Sequence, residues 1–264
     1  MINLKNKTVW ITGASSGIGE ALAHQFAKEG AKLVLSARRE SELQRVAKAT
    51  GLSEKEVLVL PMDMLKFEHF PVKVQAVIDH FGQIDFVVQN AGISQRSYVK
   101  DTKFQVYRDL MELNFFSVVA FTQALLPHLI ERKTGHFVII SSIAGKIGVP
   151  LRGGYGAAKH AIIGFFDSLR AEVWQDNIQV TTICPGYILT QISVNALDSL
   201  GNKHGKMDDN QANGMTTEVF AKKALKAIMN NEKEVYIGGF YEVFGVYLKR
   251  FLPSSVYRMV RKNN

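Results

Sequence analysis

The sequence lacks the features on which several classes of protein depend. Its 264 residues include one cysteine, Cys184, which excludes an internal disulfide framework and a cysteine-based zinc site. Its seven histidines show no metal-ligand spacing, so we expect no metal site. It contains no run of 18 apolar residues and no apolar signal-peptide core near Met1, which leads us to expect a cytoplasmic protein.

The composition that remains is that of a globular protein. Hydrophobic residues make up 47% and charged residues 21% of the chain, so a core can form and a disordered chain is excluded. We expect one domain over residues 1–264. The formal net charge of +8 favours anionic ligands or surfaces. The basic residues do not form the stripe of a known nucleic-acid module, so we expect no nucleic-acid partner.

Short apolar runs alternate with longer amphipathic stretches along the chain. The predicted strands lie at 8–12, 32–37, 57–61, 84–89, 136–142, 179–184 and 234–237. The predicted helices lie at 17–29, 40–50, 67–81, 102–132, 154–175 and 217–230. This alternation predicts an α/β fold with a doubly wound, mostly parallel seven-stranded sheet and helices on both faces. The polar stretch 193–217 is predicted to be a long mobile loop.

A glycine-rich turn joins the first predicted strand to the first predicted helix. Gly13, Gly17 and Gly19 are spaced G-x-x-x-G-x-G, which lets the backbone turn sharply and approach a phosphate. A pyrophosphate would lie at the helix N-terminus, where free N–H groups and the helix dipole favour anions. A tight connection without a ligand could use the same glycines, but their place at the first strand–helix junction favours a dinucleotide.

The end of the second predicted strand bears on the choice of dinucleotide. NAD sites usually place an acidic residue there to bind the ribose 2′-hydroxyl. This sequence has Arg38 and Arg39 instead, and guanidinium groups bind phosphate through paired, charge-assisted hydrogen bonds. A solvated helix start is the alternative explanation for these arginines. We expect NADP as the cofactor in preference to NAD.

Tyr155 and Lys159 stand at i and i+4 of a predicted helix, so their side chains share one face. A tyrosine pKa of about 10 is too high for base catalysis near neutrality, and a nearby ammonium lowers it. A lone Tyr-x-x-x-Lys pair is weak evidence. Here Ser142 ends the fifth predicted strand, and Asn114 lies in the helix after the fourth, near the sheet edge that presents ligand sites.

Six motifs occur in order along the chain: TGASSGIG (12–19), QNAG (89–92), Asn114, Ser142, YGAAK (155–159) and PGYILT (185–190). With these motifs the sequence resembles the short-chain dehydrogenase/reductase family in its single-domain, Rossmann-type form. The SQRS segment (94–97) and the closing YLKRF and YRMVRK segments further resemble the dehydrogenase/reductase member 7 subgroup. Gln89 departs from the family pattern, which commonly has Asn there.

The resemblance implies a role for each matching residue. Tyr155 would be the general acid/base and Ser142 the hydrogen-bond donor to the substrate oxygen. Lys159 would contact the nicotinamide ribose and lower the Tyr155 pKa, and Asn114 would hold a water of the proton relay. The cofactor-binding residues would be Gly13, Ser15, Ser16, Gly17, Ile18, Gly19, Arg38, Arg39, Asp63, Asn90, Ala91, Gly92, Tyr155, Lys159, Pro185, Gly186, Ile188 and Thr190.

The expected function is therefore an NADP-dependent oxidoreductase acting on a carbonyl or alcohol. Apolar neighbours such as Ile147 and Val149 favour a lipophilic substrate, bordered by the loop 186–216. A non-catalytic NADP-sensing protein on the same fold is the alternative, but such proteins usually lose the Tyr or Lys. The resemblance, together with a stripe of small residues on the 154–175 helix, predicts a homodimer or homotetramer.

The segment 240–264 is both aromatic and basic. Phe240, Phe244, Tyr247 and Phe251 recur at helical spacing, and the segment carries a net charge of +4. Such a helix suits an anionic membrane surface, so peripheral membrane contact is one hypothesis. The favoured alternative is that these aromatic residues cover the substrate pocket or a subunit interface.

Overall fold

Seven strands form one sheet in this computed structural model, which describes residues 1–261. The strands are β1 (Thr8–Thr12), β2 (Lys32–Ser36), β3 (Val57–Val59), β4 (Phe86–Gln89), β5 (Gly135–Ile140), β6 (Ile178–Pro185) and β7 (Glu234–Ile237). They lie in the order β3-β2-β1-β4-β5-β6-β7, and every pairing between neighbours in the described chain is parallel. The predicted doubly wound, Rossmann-type sheet is confirmed.

Helices connect the strands and cover both faces of the sheet. Within residues 1–261 they are α1 (Gly17–Lys28), α2 (Glu40–Thr50), α3 (Phe70–Phe81), α4 (Phe104–Met111), α5 (Ser117–Arg132), α6 (Gly153–Glu172), α7 (Asp209–Ala212), α8 (Thr217–Met229), α9 (Phe240–Phe251) and α10 (Pro253–Arg261). Each parallel pairing requires a crossover connection of this kind, which is right-handed for steric reasons.

Alternate residues of β1 fill two separate hydrophobic cores. Trp10 points to one face, where its ring meets Phe121 edge to face with centroids 4.8 Å apart. Val9 and Ile11 point to the other face, where they pack with Phe26. This alternation follows from the two-residue period of a strand, and burial on both faces explains why the strands are apolar throughout.

The strand order places the ligand site. The chain leaves β1 toward β2 on one side, and it leaves β4, the neighbour of β1 on the other side, toward β5 in the opposite direction. The connections after β1 and β4 therefore diverge and leave a crevice at the carboxyl edge. Residues that follow β1, β2, β4, β5 and β6 meet at this edge.

The stretch 193–217 is more structured than predicted. It contains the short helix α7, and Leu197 forms β-bridges with both Gln95 and Lys203. Met215 forms a further bridge with Ile188. Main-chain pairing to the segments of Gln95 and Ile188 therefore holds this stretch in place, which the polar, glycine-containing sequence did not indicate.

The predicted 102–132 helix spans Phe104–Arg132 and contains a π-helical turn at Glu112–Phe116. By length and composition alone this helix could cross a membrane. Its side chains Phe121, Leu125 and Leu129 are fully buried against the sheet. We therefore interpret it as a core helix of the domain.

Candidate active site

The glycine loop after β1 has the backbone geometry of a phosphate cradle. Gly13 and Gly17 adopt φ angles of +65° and +60°, a region that disfavours other residues. A Cβ on Gly19 would lie 2.7 Å from Nδ2 of Asn90 and would collide with the Gly13 carbonyl. The loop therefore fits a group that approaches the main chain closely, as a dinucleotide pyrophosphate does.

Asn90 supports this loop from the neighbouring strand. Its Nδ2 donates to the carbonyl oxygens of Thr12 (3.0 Å) and Gly13 (3.2 Å). Its main-chain N–H donates to Oγ1 of Thr12 at 3.0 Å, as does that of Ala91 at 3.2 Å. The Asn90 side chain thus positions the glycine loop.

A cleft of about 580 Å³ runs from this loop along the carboxyl edge of the sheet. Its lining includes the predicted cofactor residues Gly13, Ser15, Ser16, Gly17, Ile18, Arg38, Arg39, Asp63, Asn90, Ala91, Gly92 and Thr190. Arg38 and Arg39 follow β2 and are exposed at the rim. Gly19 lies behind the loop, where it lets α1 approach β1.

A second cavity of about 80 Å³ brings together the predicted catalytic residues Ser142, Tyr155 and Lys159. Ile18, Asn90, Gly92, Thr190 and Ile192 line both this cavity and the larger cleft, so the two spaces adjoin. The remaining predicted residues Pro185, Gly186 and Ile188 also line the smaller cavity.

Tyr155 and Lys159 are buried on one face of α6. Nζ of Lys159 lies 5.8 Å from the centroid of the Tyr155 ring and donates to the carbonyl oxygen of Ile140 at 2.8 Å. Ser142 follows β5 by two residues and caps a 3-10 turn, its Oγ accepting from the Ala144 N–H at 3.1 Å. The prediction that Ser142 ends the strand is wrong by these two residues, because the chain turns there.

Asn114 lies in the π-helical turn of the long helix and is buried. Its Oδ1 accepts from the Ile93 N–H and its Nδ2 donates to the Ile93 carbonyl oxygen, both at 3.0 Å. A Cβ on Gly92 would lie 2.6 Å from this Oδ1 and 3.8 Å from Nζ of Lys159. Asn114 therefore lies behind Gly92, which lines both cavities, but is itself absent from the lining of either one. Such π-helical turns are frequent at functional sites.

Burial dominates the ionisation of the two α6 residues. It raises the pKa of Tyr155 above its ordinary value, although the nearby Ser142 hydroxyl acts in the opposite direction. It lowers the pKa of Lys159 to about 8, because the charged ammonium is removed from water. In the cofactor-free protein burial outweighs the groups that lower the pKa of Tyr155, and the role expected for Lys159 stays a prediction.

The expectation that both Ile147 and Val149 border the substrate needs revision. Ile147 is buried in the core that contains Trp10, and the described structure places it away from both cavities. Val149 packs against the small cluster around Tyr155. Gln89, which departs from the family pattern, is accommodated because its Nε2 donates to Oγ1 of Thr122 at 2.7 Å.

Sequence reasoning missed four polar residues near the catalytic cavity. Gln211 lies on α7, lines the cavity and donates through its Nε2 to the Ile188 carbonyl oxygen. Arg152 lines it as well, and Asp208 links Arg152 to Arg96. The one available signal was the position of Arg152, three residues before Tyr155. Arg96 and Asp208 approach each other across 112 residues of sequence, which no local pattern reveals.

The sheet, the glycine loop and the Ser–Tyr–Lys cavity together define a class of oxidoreductases. The chain belongs to the short-chain dehydrogenase/reductase family, since the sequence model described as short chain dehydrogenase matches residues 7–200. It is therefore an oxidoreductase of this family.

Relatives place the chain more narrowly, beside the member 7 proteins. It is 44% identical over 265 residues to the dehydrogenase/reductase SDR family protein 7-like of Anopheles gambiae, covering 98% of this chain and 84% of that protein. It is 42% identical over 264 residues to the dehydrogenase/reductase SDR family member 7 of Homo sapiens, covering 98% and 78%. The predicted resemblance to this subgroup is confirmed.

Solved structures share the fold. A short-chain dehydrogenase from Streptomyces avermitilis superposes with a TM-score of 0.83 at 26% identity, covering 98% of this chain and 97% of the other. A short-chain dehydrogenase/reductase from Burkholderia phymatum in complex with NAD has the same TM-score at 21% identity, covering 95% of both chains. The second likeness is evidence for the fold alone.

Proposed function

We propose that this protein is an NADP-dependent carbonyl reductase in which Tyr155 is the general acid/base. The observation that carries the proposal is one cavity that holds Ser142, Tyr155 and Lys159 and adjoins the dinucleotide-sized cleft. A non-catalytic NADP-sensing protein would not need these three groups together. Reduction of a carbonyl and oxidation of an alcohol would use the same residues.

The chain's own residues would handle the substrate oxygen. A bound nicotinamide supplies or accepts the hydride, which is the cofactor's chemistry. The hydroxyl groups of Ser142 and Tyr155 would hold the carbonyl oxygen, and the Tyr155 phenol would donate its proton to it. Burial raises the pKa of Tyr155, so the phenol holds the proton that reduction of a carbonyl would require. The Lys159 ammonium would stabilise negative charge that develops on the phenol.

Isoleucines shape the space next to these groups. Ile18, Ile188 and Ile192 line the catalytic cavity and supply apolar surface beside Tyr155. This lining supports a substrate that is apolar near the reacting carbon, as proposed from the sequence. A panel of ketones and aldehydes assayed by NADPH absorbance would test the proposal, and a protein that reduces none of them would contradict it.

Arg38 is proposed to bind the 2′-phosphate of NADP. We expect Arg38→Asp to raise the Kd of NADPH by about tenfold or more, because it removes a guanidinium partner and adds a like charge. The Kd of NADH should change much less. Fluorescence titration with both cofactors measures the two effects, and Arg108→Asp, at an exposed arginine of α4 that lines neither cavity, is the control. Equal losses for both cofactors would refute the assignment.

A homodimer or homotetramer is proposed from the exposed side of α6. Ala157, Gly164 and Ser168 are exposed there, and a Cβ on Gly164 would meet no atom within 4 Å. Small residues at this spacing let a helix of a second copy approach closely. We expect Gly164→Arg to fold as a monomer in sedimentation, whereas Gly164→Ala keeps the assembly. A wild-type monomer at micromolar concentration would contradict this proposal.

The C-terminal helices support a second proposal, peripheral contact with an anionic membrane from a cytoplasmic location. Phe240, Tyr241 and Phe251 are 76%, 80% and 79% exposed, and the residues that line the two cavities all precede α8. These aromatic side chains line neither cavity, although Glu242 of α9 accepts from the Tyr187 N–H at 3.1 Å beside the catalytic cavity. Cover of the pocket or of a subunit interface is therefore the alternative that the experiment must separate from membrane contact. Of the basic residues, Lys262 lies outside the described residues.

Flotation with liposomes would test this contact. We expect the protein to float with anionic vesicles at low salt and less at physiological salt, because apolar insertion and charge attraction act together. Replacing Phe240, Tyr241 and Phe251 by Ser should abolish flotation, whereas Phe104→Ser, at a residue 70% exposed elsewhere, should not. Deleting α10 is a poorer test, since Val256 is buried in the core. No flotation of the wild type at either salt would remove the proposal.

A further inference from the structure

Three charged side chains lie together beside the catalytic cavity: Arg96, Arg152 and Asp208. Nε of Arg96 donates to Oδ2 of Asp208 at 2.7 Å, and its Nη2 pairs with the same oxygen. Nη2 of Arg152 also reaches that oxygen, at 3.2 Å. Asp208 is the one acid within ion-pair distance of either arginine in the described chain. The cluster therefore carries one positive charge that no protein group neutralises.

The two arginines differ in how fully they are bonded. Arg96 uses its third nitrogen as well, since Nη1 donates to the Gln95 carbonyl oxygen at 2.8 Å and to Oγ of Ser94 at 3.3 Å. Its side chain is only 4% exposed. Arg96 thus acts as an anchor that fastens Asp208, and with it α7, to the segment after β4.

Within residues 1–261, the guanidinium of Arg152 makes one hydrogen bond, to Asp208. Its guanidinium lies over the Tyr187 ring, 5.2 Å from the centroid, which orients the group without using its N–H donors. Its side chain is 14% exposed, and it lines the cavity that holds Ser142 and Tyr155. Donors of Arg152 are therefore accessible from the place where the substrate would lie.

A purely structural role explains Arg152 less well. Fastening Asp208 is already achieved by the shorter and more numerous bonds of Arg96. Burial and the neighbouring Arg96 charge both lower the pKa of Arg152, which means that both disfavour its charged form. An anion bound in the cavity would stabilise the charged guanidinium.

We propose that Arg152 binds an anionic group of the substrate and so selects carbonyl compounds that carry a carboxylate or a phosphate monoester. This inference rests on the proposed reductase function and narrows its substrate class. Arg152 directly precedes α6, three residues before Tyr155, and both side chains line the same small cavity. The anionic group would therefore be a few bonds from the carbonyl, with an apolar remainder against the isoleucines.

Matched substrate pairs would test this selectivity. One arm compares keto acids with their methyl esters, and a second compares phosphate monoesters of hydroxyketones with the free hydroxyketones. For wild-type protein we expect kcat/KM to be about tenfold or more higher for the anionic member of at least one arm, because charge-assisted hydrogen bonds to Arg152 are lost in the neutral member. The arm that shows the preference identifies the anion.

Variants of Arg152 complete the test. Arg152→Gln should lower the anionic-to-neutral ratio of kcat/KM by about tenfold or more, and Arg152→Lys should restore part of it. Arg108→Gln, which removes an exposed guanidinium on α4, should leave the ratio unchanged. Should Arg152→Gln fail to fold by circular dichroism, Arg152→Lys and the wild-type ratio decide the question.

The outcomes separate the two proposals. A wild-type protein that reduces neutral and anionic carbonyls equally well, or a ratio unaltered in both Arg152 variants, overturns the inference and leaves the reductase function standing. A wild-type protein that reduces members of the ketone and aldehyde panel but no anionic member of either arm also overturns the inference, whereas one that reduces no compound of the panel or of the arms, with either nicotinamide cofactor, overturns the reductase function itself.

Discussion

Replacing Tyr155 by Phe is expected to lower kcat by about a hundredfold or more, because the substrate oxygen loses its proton donor. The ring is buried and its hydroxyl adjoins Ser142, so Phe fills the same space and the fold should survive. Steady-state kinetics on any carbonyl that the wild type reduces would measure the loss. The Kd of NADPH should change little, which separates chemistry from binding.

Tyr107→Phe is the matched control for this variant. Tyr107 lies on α4 beside α6, and its hydroxyl makes one long hydrogen bond, 3.4 Å to the Val99 carbonyl oxygen. Its loss should leave kcat close to the wild-type value. A Tyr155→Phe protein that keeps kcat within about threefold of wild type would refute the role of Tyr155 as the general acid.

Lys159→Met is expected to lower kcat/KM by about a hundredfold or more, because it removes the buried charge that stabilises developing charge on Tyr155. Methionine fills much of the same space, so the protein should fold. The activity should therefore fall without a matching fall in the free energy of unfolding, which distinguishes a catalytic lysine from a structural one.

The pH dependence of stability gives an independent check on Lys159. Its pKa of about 8 in the folded, cofactor-free protein lies below the ordinary lysine value of 10.5. Above pH 8 the unfolded state holds more protons than the folded state, so this lysine makes the free energy of unfolding rise with pH. Urea unfolding of wild type and Lys159→Met between pH 7 and pH 9, about a unit either side of that pKa, should show this rise in the wild type alone. Parallel curves would contradict the burial-lowered pKa.

Most of the fold was predictable because it depends on local patterns. The strand β1 and the helix α2 have the predicted bounds, since apolar runs and helical periodicity mark both without ambiguity. The parallel arrangement followed from strand–helix alternation. The ends of β3 and β5 were placed too far along the chain. After β3 the apolar Leu60 and Pro61 continue into the turn, whereas after β5 the polar Ser141 and Ser142 already belong to the turn.

The candidate site was predictable where it consists of short motifs. The glycine loop and the Tyr155–Lys159 pair are each encoded within a few residues, and the fold places them at one edge. Tertiary contacts were not predictable. Asp208 meets Arg152 across 56 residues, and the raised pKa of Tyr155 depends on burial by several elements.

Transfer of deuterium from the cofactor tests the central claim most directly. The protein would be incubated with NADPH carrying deuterium at both C4 positions and with a carbonyl from the substrate panel, and the product analysed by mass spectrometry. We predict an alcohol one mass unit heavier than the unlabelled product, with the label on the former carbonyl carbon, formed by wild type and strongly reduced in Tyr155→Phe. An alcohol without the label, or equal labelling by the Tyr155→Phe protein, would contradict the account.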